Sequence, residues 1–292
     1  MPLTNFSPYL KDGVLDLNQE GNIFSIREGQ SKNKEEQSKS EEVKLNRFED
    51  IFDIKQLVKF IQTTPDITEF KATLWGIGKM GINDFRSLMD AIGNSDITAL
   101  NFENNTLSPE MAEEISKLSK LTELNLGGCD IDDEKIAKIA EKLCNIATLN
   151  VENNSITDIG VGAIAKHLPN LLSLNASCNG ISDTGADKIK CFKKIKEITI
   201  PYGNNISFNV FKGVVEAHSN TLTKVDLFSS AYTSEQLLEI AGPLTNCVIK
   251  LGPYWTKGVN HINEAPLRLV EAVWEILPPV DHVGVVGDVL EG

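Results

Sequence analysis

The chain has 292 residues, and 28 lysines and arginines stand against 41 aspartates and glutamates, a formal net charge of −13. A charge of this sign disfavours nucleic-acid binding, which needs a basic face to neutralise phosphates, and it disfavours attraction to anionic membranes. It suits solubility and a basic protein partner equally, and the length allows one unit with a substantial core.

From the N-terminus, MPLTNFSPYLKDG lacks the charged-then-apolar layout of a cleavable signal peptide. Val14–Leu17 and Ile23–Ile26, joined by Gln19-Glu20-Gly21-Asn22, read as a hairpin. Two strands are marginal alone, so the pair is expected to lean on the rest of the chain or on a partner. Residues 31–42, SKNKEEQSKSEE, hold no apolar side chain and read as a charged linker. Residues 1–46 are therefore an N-terminal extension. Phe48, Ile51, Phe52, Ile54, Leu57, Val58 and Ile61 then line one face of a helix, so 47–66 reads as an N-terminal capping helix.

Four stretches follow that repeat one pattern: ITALNFENNTLSPEMAEEI (97–115), LTELNLGGCDIDDEKIAKI (121–139), IATLNVENNSITDIGVGAI (146–164) and LLSLNASCNGISDTGADKI (171–189). Their starts lie 24 or 25 residues apart, and a fixed period in this range means stacked supersecondary units. In 146–170, Leu149 and Val151 alternate with Thr148, Asn150 and Glu152, which predicts a short strand with one buried face. Asn154 falls where the chain leaves that strand. Its amide can satisfy backbone groups of the turn and of the neighbouring repeat. Asn105 and Asn179 hold the same position, and Cys129 replaces them in one repeat. Cysteine is small and bonds weakly, so that repeat is expected to be less firmly pinned. Thr157 is a good N-cap with Asp158 in the first turn, and Ser108-Pro109, Asp132-Asp133 and Ser182-Asp183 stand at the equivalent places. Gly160 and Gly185, inside two helices, read as sites of close packing.

The pattern loosens on both sides. Ile67, Phe70 and Ala72 fill the frame of a first repeat, with a helix around 83–92. Residues 195–221 and 222–247 continue it, and Val248 and Leu251 open an eighth strand. The frame Φ-x-x-L-N-Φ-x-x-[NC]-x-Φ, with Φ apolar, resembles the leucine-rich repeat. With its helices and I-x-D-x-G step it looks most like the ribonuclease-inhibitor-like and cysteine-containing subtypes. The resemblance implies an α/β fold over 67–255: a right-handed leucine-rich-repeat solenoid with a parallel concave sheet and helices on the convex face. In 256–292, Leu267, Leu269, Val270, Val273, Trp274 and Leu277 make an amphipathic helix stopped by Pro278-Pro279, read as the C-terminal cap and tail.

Catalytic candidates are few. His167 and His218 recur at helix ends, where the dipole favours them as structural residues. His261 and His282 have no cysteine or serine motif near them. GIGKMG at 76–81 is too short for a phosphate loop and lacks its Lys-Ser/Thr ending. Glu113/Glu114 and Asp132/Asp133 read as helix-surface pairs. Cys129, Cys144, Cys178, Cys191 and Cys247 show no metal-binding spacing and read as reduced thiols of a cytosol. No enzyme, cofactor or metal is expected.

The outward columns are the expected working surface. Position 3 of the repeats gives Glu69, Ala99, Glu123, Thr148, Ser173, Glu197, Lys224 and Lys250. Position 5 gives Asn101, Asn125, Asn150 and Asn175, read as structural, then Thr199 and Asp226. Position 7 gives Glu103, Gly127, Glu152, Ser177, Pro201, Phe228 and Tyr254, with Tyr202 at position 8. Exposed aromatics are the usual anchors of interfaces. Partner binding is therefore expected at Glu103, Glu123, Glu152, Glu197, Tyr202, Phe228 and Tyr254. The expected function is a non-enzymatic scaffold, monomeric, binding a basic host protein through its concave face. Neither nucleic acid nor membrane is an expected partner. The asparagine-, isoleucine- and lysine-rich usage resembles that of proteins from AT-rich genomes, and a compact, single-module repeat protein of eukaryotic style then resembles the leucine-rich repeat effectors of intracellular bacteria. That resemblance implies a cytoplasmic protein secreted into a host cell without a cleavable signal peptide. The alternatives are an activator of a small GTPase, for which the chain offers only Arg27, Arg47, Arg86 and Arg268, and a housekeeping cytosolic adaptor.

Overall fold

The computed structural model describes residues 5–17, 53–73, 76–227 and 232–251. Ten strands form one sheet in chain order: β1 (Leu10–Lys11), β2 (Val14–Asp16), β3 (Glu69–Lys71), β4 (Ala99–Asn101), β5 (Glu123–Asn125), β6 (Thr148–Asn150), β7 (Ser173–Asn175), β8 (Glu197–Thr199), β9 (Lys224–Leu227) and β10 (Val248–Leu251). All pairs from β2 to β10 are parallel, and β1 with β2 is antiparallel. The helices are α1 (Ile54–Thr63), α2 (Ile82–Asn94), α3 (Pro109–Ile115), α4 (Asp133–Lys142), α5 (Asp158–His167), α6 (Asp183–Ile189), α7 (Phe208–Ala217) and α8 (Ser234–Ala241). Each packs on the next.

In each short strand the middle residue is buried and its neighbours look outward. Leu100, Leu124, Leu149, Leu174 and Ile198 form one continuous buried row under the sheet, joined by Met111, Ile136, Val161 and Ala186 from the helices. No single repeat could bury such a face alone, so the core exists only in the stack.

Two polar ladders run beside this core. In the first, Asn154 donates through Nδ2 to the carbonyls of Leu126 (2.8 Å), Val151 (2.9 Å) and Glu152 (3.0 Å). Its Oδ1 accepts from the N–H groups of Cys129 (3.1 Å) and Ile131 (2.8 Å). One side chain thus closes its own turn and holds the preceding repeat. Asn105 and Asn179 repeat the arrangement. Cys129 stands in the row and donates a single-atom substitute, Sγ to the Phe102 carbonyl at 3.0 Å. A fifth member, Asn204, was hidden from the sequence frame. It binds the carbonyls of Ala176 (2.8 Å) and Ile200 (2.7 Å) and accepts from Asn179 and Ile181. One extra residue between β8 and this asparagine moves it out of the counted position.

The second ladder caps the helices. Asp133 accepts from the N–H groups of Thr157 (2.8 Å) and Gly160 (2.9 Å) and from the Thr157 hydroxyl. Asp158 does the same for Ser182, and Asp183 for Ser207. This explains the recurring glycine. A Cβ on Gly160 would lie 2.5 Å from Asp133 Oδ1, and one on Gly185 2.3 Å from Asp158 Oδ1. The close packing is therefore against the carboxylate of the preceding repeat, and Asp133 is a bridging residue rather than a free surface acid.

Three further expectations need adjustment. Val14–Asp16 does form an antiparallel pair, but with Leu10–Lys11, and its other edge adds to β3. Here 5–17 leans on the solenoid: Phe6 and Tyr9 are buried, and the Phe6 ring lies 5.9 Å from that of Phe60 in α1. Ile23–Ile26, the 31–42 linker, the Phe48, Ile51 and Phe52 end of the capping helix, and the 256–292 cap lie outside the described residues. The described part of the capping helix, α1, is capped by Asp53 and buries Ile54, Leu57 and Ile61. At the other end β10 pairs Val248 with Lys224 and Lys250 with Asp226. Lys250 therefore belongs to column 5, not column 3, and Ile249 beside it is buried. Finally, Glu114 is buried rather than on the helix surface. Arg86 Nε (3.0 Å) and Lys117 Nζ (2.6 Å) offset the burial of its charge.

Asn154→Ala should lower unfolding stability by about 1–3 kcal/mol, since buried backbone groups of two repeats lose their partners. Urea denaturation measures it, and a change below about 0.5 kcal/mol would show that the ladder is dispensable. The capping ladder gives a pH signature. Burial alone would raise the Asp158 carboxyl, but hydrogen bonds from Ser182 and Gly185, with Lys188 nearby, hold it below the ordinary aspartate range. A group depressed in the folded state contributes stability above its unfolded value, and that contribution is lost as pH falls through the folded value. Asp158→Asn should thus flatten the acid limb of the stability–pH profile while leaving the neutral-to-alkaline region parallel to that of the unaltered protein.

Candidate protein-interaction surface

The face of the sheet turned away from the helices, the concave face of this architecture, is built by strand register. Column 3 runs Glu69, Ala99, Glu123, Thr148, Ser173, Glu197, Lys224. Column 5 holds the asparagines. Each accepts through Oδ1 from the N–H two residues on: Asn101 from Glu103 (3.0 Å), Asn125 from Gly127 (3.0 Å), Asn150 from Glu152 (3.0 Å) and Asn175 from Ser177 (3.2 Å). These side chains close the strand ends and are structural.

Column 7 is read from the inter-repeat bonds. Asn104, Gly128 and Asn153 donate their N–H groups to the carbonyls of Gly127, Glu152 and Ser177. Cys178 donates to that of Tyr202 at 2.7 Å. Tyr202 therefore occupies column 7, one place from its counted position, because the extra residue precedes it. Gly203 follows at φ 67°, the left-handed turn that Asn104, Asn153 and Cys178 make in their repeats. Column 7 now alternates: Glu103, Gly127, Glu152, Ser177, Tyr202. Gly127 and Ser177 are buried, Glu103 and Glu152 are half-exposed, and Tyr202 is exposed.

The charges on this face are not equally free. Glu69 pairs with Lys71 at 3.0 Å and Glu197 with Lys224 at 3.4 Å. Among the described residues no ion pair reaches Glu103, Glu123 or Glu152. Amides instead orient two of them: Asn125 Nδ2 donates to Glu103 Oε2 (3.2 Å) and Asn175 Nδ2 to Glu152 Oε2 (2.9 Å). The structure thus gathers Glu103, Glu123 and Glu152 onto one middle section of the sheet. Glu197 lies further along and is partly neutralised. Tyr202 continues the column of Glu103 and Glu152. Phe228 and Tyr254 lie outside the described residues, and the two-residue register shift at β10 removes the count that placed Tyr254 in column 7.

The remaining polar residues have structural employment. His218 is buried, with Nε2 3.0 Å from the Ile189 carbonyl, and burial pulls its pKa down against that hydrogen bond. His167 ends α5 and is half-buried; His261 and His282 lie outside the described residues. Ile77–Lys79 of the glycine-rich stretch form a short 3-10 turn whose Ile77 N–H binds Asn105 Oδ1 at 2.8 Å. Among the described residues no group of three or more His, Cys, Asp or Glu side chains could hold a metal ion. Nor is any described helix long and apolar enough to cross a membrane.

A family model described as Leucine Rich repeat matches residues 117–140, 142–165 and 167–190. These windows coincide with the second, third and fourth of the regular repeats. The chain carries leucine-rich repeats, and its parallel sheet alternating with helices is the fold they build. Among solved structures, internalin C2 of Listeria monocytogenes str. 4b F2365 is 18% identical, with 64% of this chain and 81% of that chain covered and a TM-score of 0.42. Internalin F of the same strain is 21% identical, with 70% and 65% covered and a TM-score of 0.42. No curated protein sequence matches.

The thiols offer a check on these placements. Cys144 and Cys191 are exposed, whereas burial pushes the Cys129 thiol up to about 12 and that of Cys247 up to about 11. Only the thiolate reacts, so a maleimide at neutral pH should label Cys144 and Cys191 first and Cys129 last in the folded protein. Peptide mapping of the time course would show it. Labelling of Cys129 as fast as Cys144 would remove it from the ladder.

Proposed function

We propose that this protein is a non-enzymatic interaction scaffold that binds a basic protein partner through its concave face. One observation carries the reading: Glu103, Glu123 and Glu152 stand on a rigid, outward-facing section of sheet with no cation of the described chain to neutralise them. The buried carboxylate of Glu114, by contrast, is paired with two cations. Carboxylates held in place but left unpaired are free to meet charge from outside, which speeds encounter and selects partners. Tyr202 adds an exposed aromatic to the same surface, the residue type that most often anchors an interface. Glu197, Phe228 and Tyr254 are proposed as its flank.

A role as a secreted bacterial effector acting on a host protein is the biological setting we propose. It rests on the residue usage and the compact repeat architecture. Activation of a small GTPase draws no support from Arg86, whose guanidinium is already held by Glu114 and by Asn83 Oδ1 at 3.3 Å.

The test is a paired capture from host-cell lysate. Glu123→Lys with Glu152→Lys should abolish retention of the protein that the unaltered chain captures, and Tyr202→Ala should weaken it by roughly 1–2 kcal/mol. Added salt should narrow the difference between charged variants. The control belongs on the helix side, at Glu134 and Lys138, an exposed pair 2.9 Å apart. Glu114 is unsuitable there, since a lysine beside Arg86 and Lys117 would unfold its surroundings. If reversal of Glu134 and Lys138 abolishes capture while the concave variants bind normally, the working face is the outer one.

A further inference from the structure

Among the ladder asparagines Asn179 alone is followed by glycine, and Asn179-Gly180 is the one Asn-Gly step in the chain. The places after Asn105, Asn154 and Asn204 hold Thr106, Ser155 and Asn205. The difference bears on the chemical lifetime of a thermolabile side chain. A backbone nitrogen can attack the side-chain carbonyl carbon of the asparagine before it. Glycine, with no side chain and the widest range of backbone angles, hinders that attack least. Gly180 N forms a bond to Asn179 Cγ and gives up its proton to water, the Cγ–Nδ2 bond breaks, and ammonia leaves. Water then opens the cyclic imide at one or the other carbonyl, giving aspartate or an isoaspartyl linkage. Amide and water become acid and ammonia, and no redox partner is needed.

The folded stack opposes each movement this requires. Gly180 N donates to the Ile156 carbonyl at 2.8 Å, within a parallel bridge between Gly180 and Thr157, so the nucleophile is tied to the preceding repeat. The leaving nitrogen, Asn179 Nδ2, is held by the carbonyls of Val151 (2.9 Å), Ala176 (3.2 Å) and Ser177 (2.9 Å), and Oδ1 accepts from the Ile156 N–H at 2.9 Å. Attack needs the side chain to swing out of all these bonds. Gly180 is nonetheless exposed, so water and base reach the step once the turn opens. The product does not fit back. A carboxylate has no donor for the three carbonyls and sets a negative charge against them. An isoaspartyl linkage also lengthens the backbone by one methylene and displaces Gly180 from Ile156. The strand of this repeat, β7, carries Asn175, whose Nδ2 orients Glu152 at 2.9 Å, so the damage falls within the acidic section of the sheet.

We propose that Asn179-Gly180 is a deamidation site that the stacked repeats keep shut and unstacking opens, so that the 171–189 repeat, once converted, no longer restacks. The chemistry is independent of which face meets a partner. The full chain is incubated at mildly alkaline pH, folded in buffer and unfolded in guanidinium chloride. Peptide mapping by mass spectrometry follows the amide-to-acid change at each asparagine, and electron-transfer fragmentation separates aspartyl from isoaspartyl products. In denaturant Asn179 should convert faster than Asn105, Asn154 or Asn204. In the folded chain it should convert at least about tenfold more slowly, because only the open fraction reacts. Asn154→Ala, which loosens the preceding repeat, should raise the folded rate. After dilution from denaturant, the converted chains should fail to regain the circular dichroism and denaturation midpoint of fresh chains. Gly180→Ala separates the chemistry from the history of unfolding. A Cβ there meets only the Ile156 carbonyl at 3.5 Å and Thr157 Cγ2 at 3.6 Å, ordinary contacts, so the variant should fold. Its methyl group should slow conversion in denaturant and preserve refolding. Equal rates in folded and unfolded chains would overturn the shielding, and no preference for Asn179 in denaturant would overturn the site. Full recovery of converted chains, or equal loss of refolding in Gly180→Ala without conversion, would overturn the irreversible step.

Discussion

A backbone that turns sharply every 24 or 25 residues must find partners for the amide and carbonyl groups it removes from its strands, and one side chain per repeat does this. The ladder asparagine bonds in three directions: to its own turn, to the strand end of the preceding repeat, and to that repeat's following turn. A carboxamide is suited to this because it carries two donors and an acceptor in a plane. Remove the ladder and the turns of adjacent repeats lose their common anchor, although the apolar row beneath would remain. Cys129 shows the minimum that the position demands: a small buried group that bonds the carbonyl of the preceding strand end.

The capping aspartates do the same work on the other edge of each repeat. Asp133, Asp158 and Asp183 each belong to the first turn of one helix and bind the N-cap residue of the next. Adjacent repeats are thus tied at both ends of the strand-to-helix connection. Such a stack holds its curvature by local bonds, and the outward side chains of the sheet are relieved of structural duty. The exceptions are the column-5 asparagines, which close the strand ends and orient two carboxylates beside them.

That division of labour is what supports the proposal that the concave face is a surface for recognition. Glu103 and Glu152 are held by amides rather than by lysines, so their orientation is set while their charge stays uncompensated. Ordering these groups in advance reduces what a partner must spend in conformational entropy on binding. The same face changes character toward β8 and β9, where Glu197 and Lys224 neutralise each other. The acidic character is therefore local to the middle repeats and not a mere reflection of the net charge.

Much of this was legible in the residues alone. The alternation around Leu149 and Val151, the recurrence of asparagine at one place and the Ser/Thr/Asp caps are local signals. They depend on neighbours within a few positions, and a repeating sequence states them several times. What only the tertiary structure decided depends on register. The inserted residue after β8 is invisible to a count of positions, yet it moves Tyr202 into column 7 and makes Asn204 the fifth ladder residue. The start of β10 at Val248 likewise shifts Lys250 by two positions, from column 3 to column 5, because burial of Ile249 and not the spacing of apolar residues sets the pairing. Glu114 and Asp133 looked like surface acids on their own helices, and their partners come from neighbouring repeats. A sequence determines which residues alternate and cap within one repeat. Which side chains share a column, and which charges find a counter-charge, is determined only when the repeats stack.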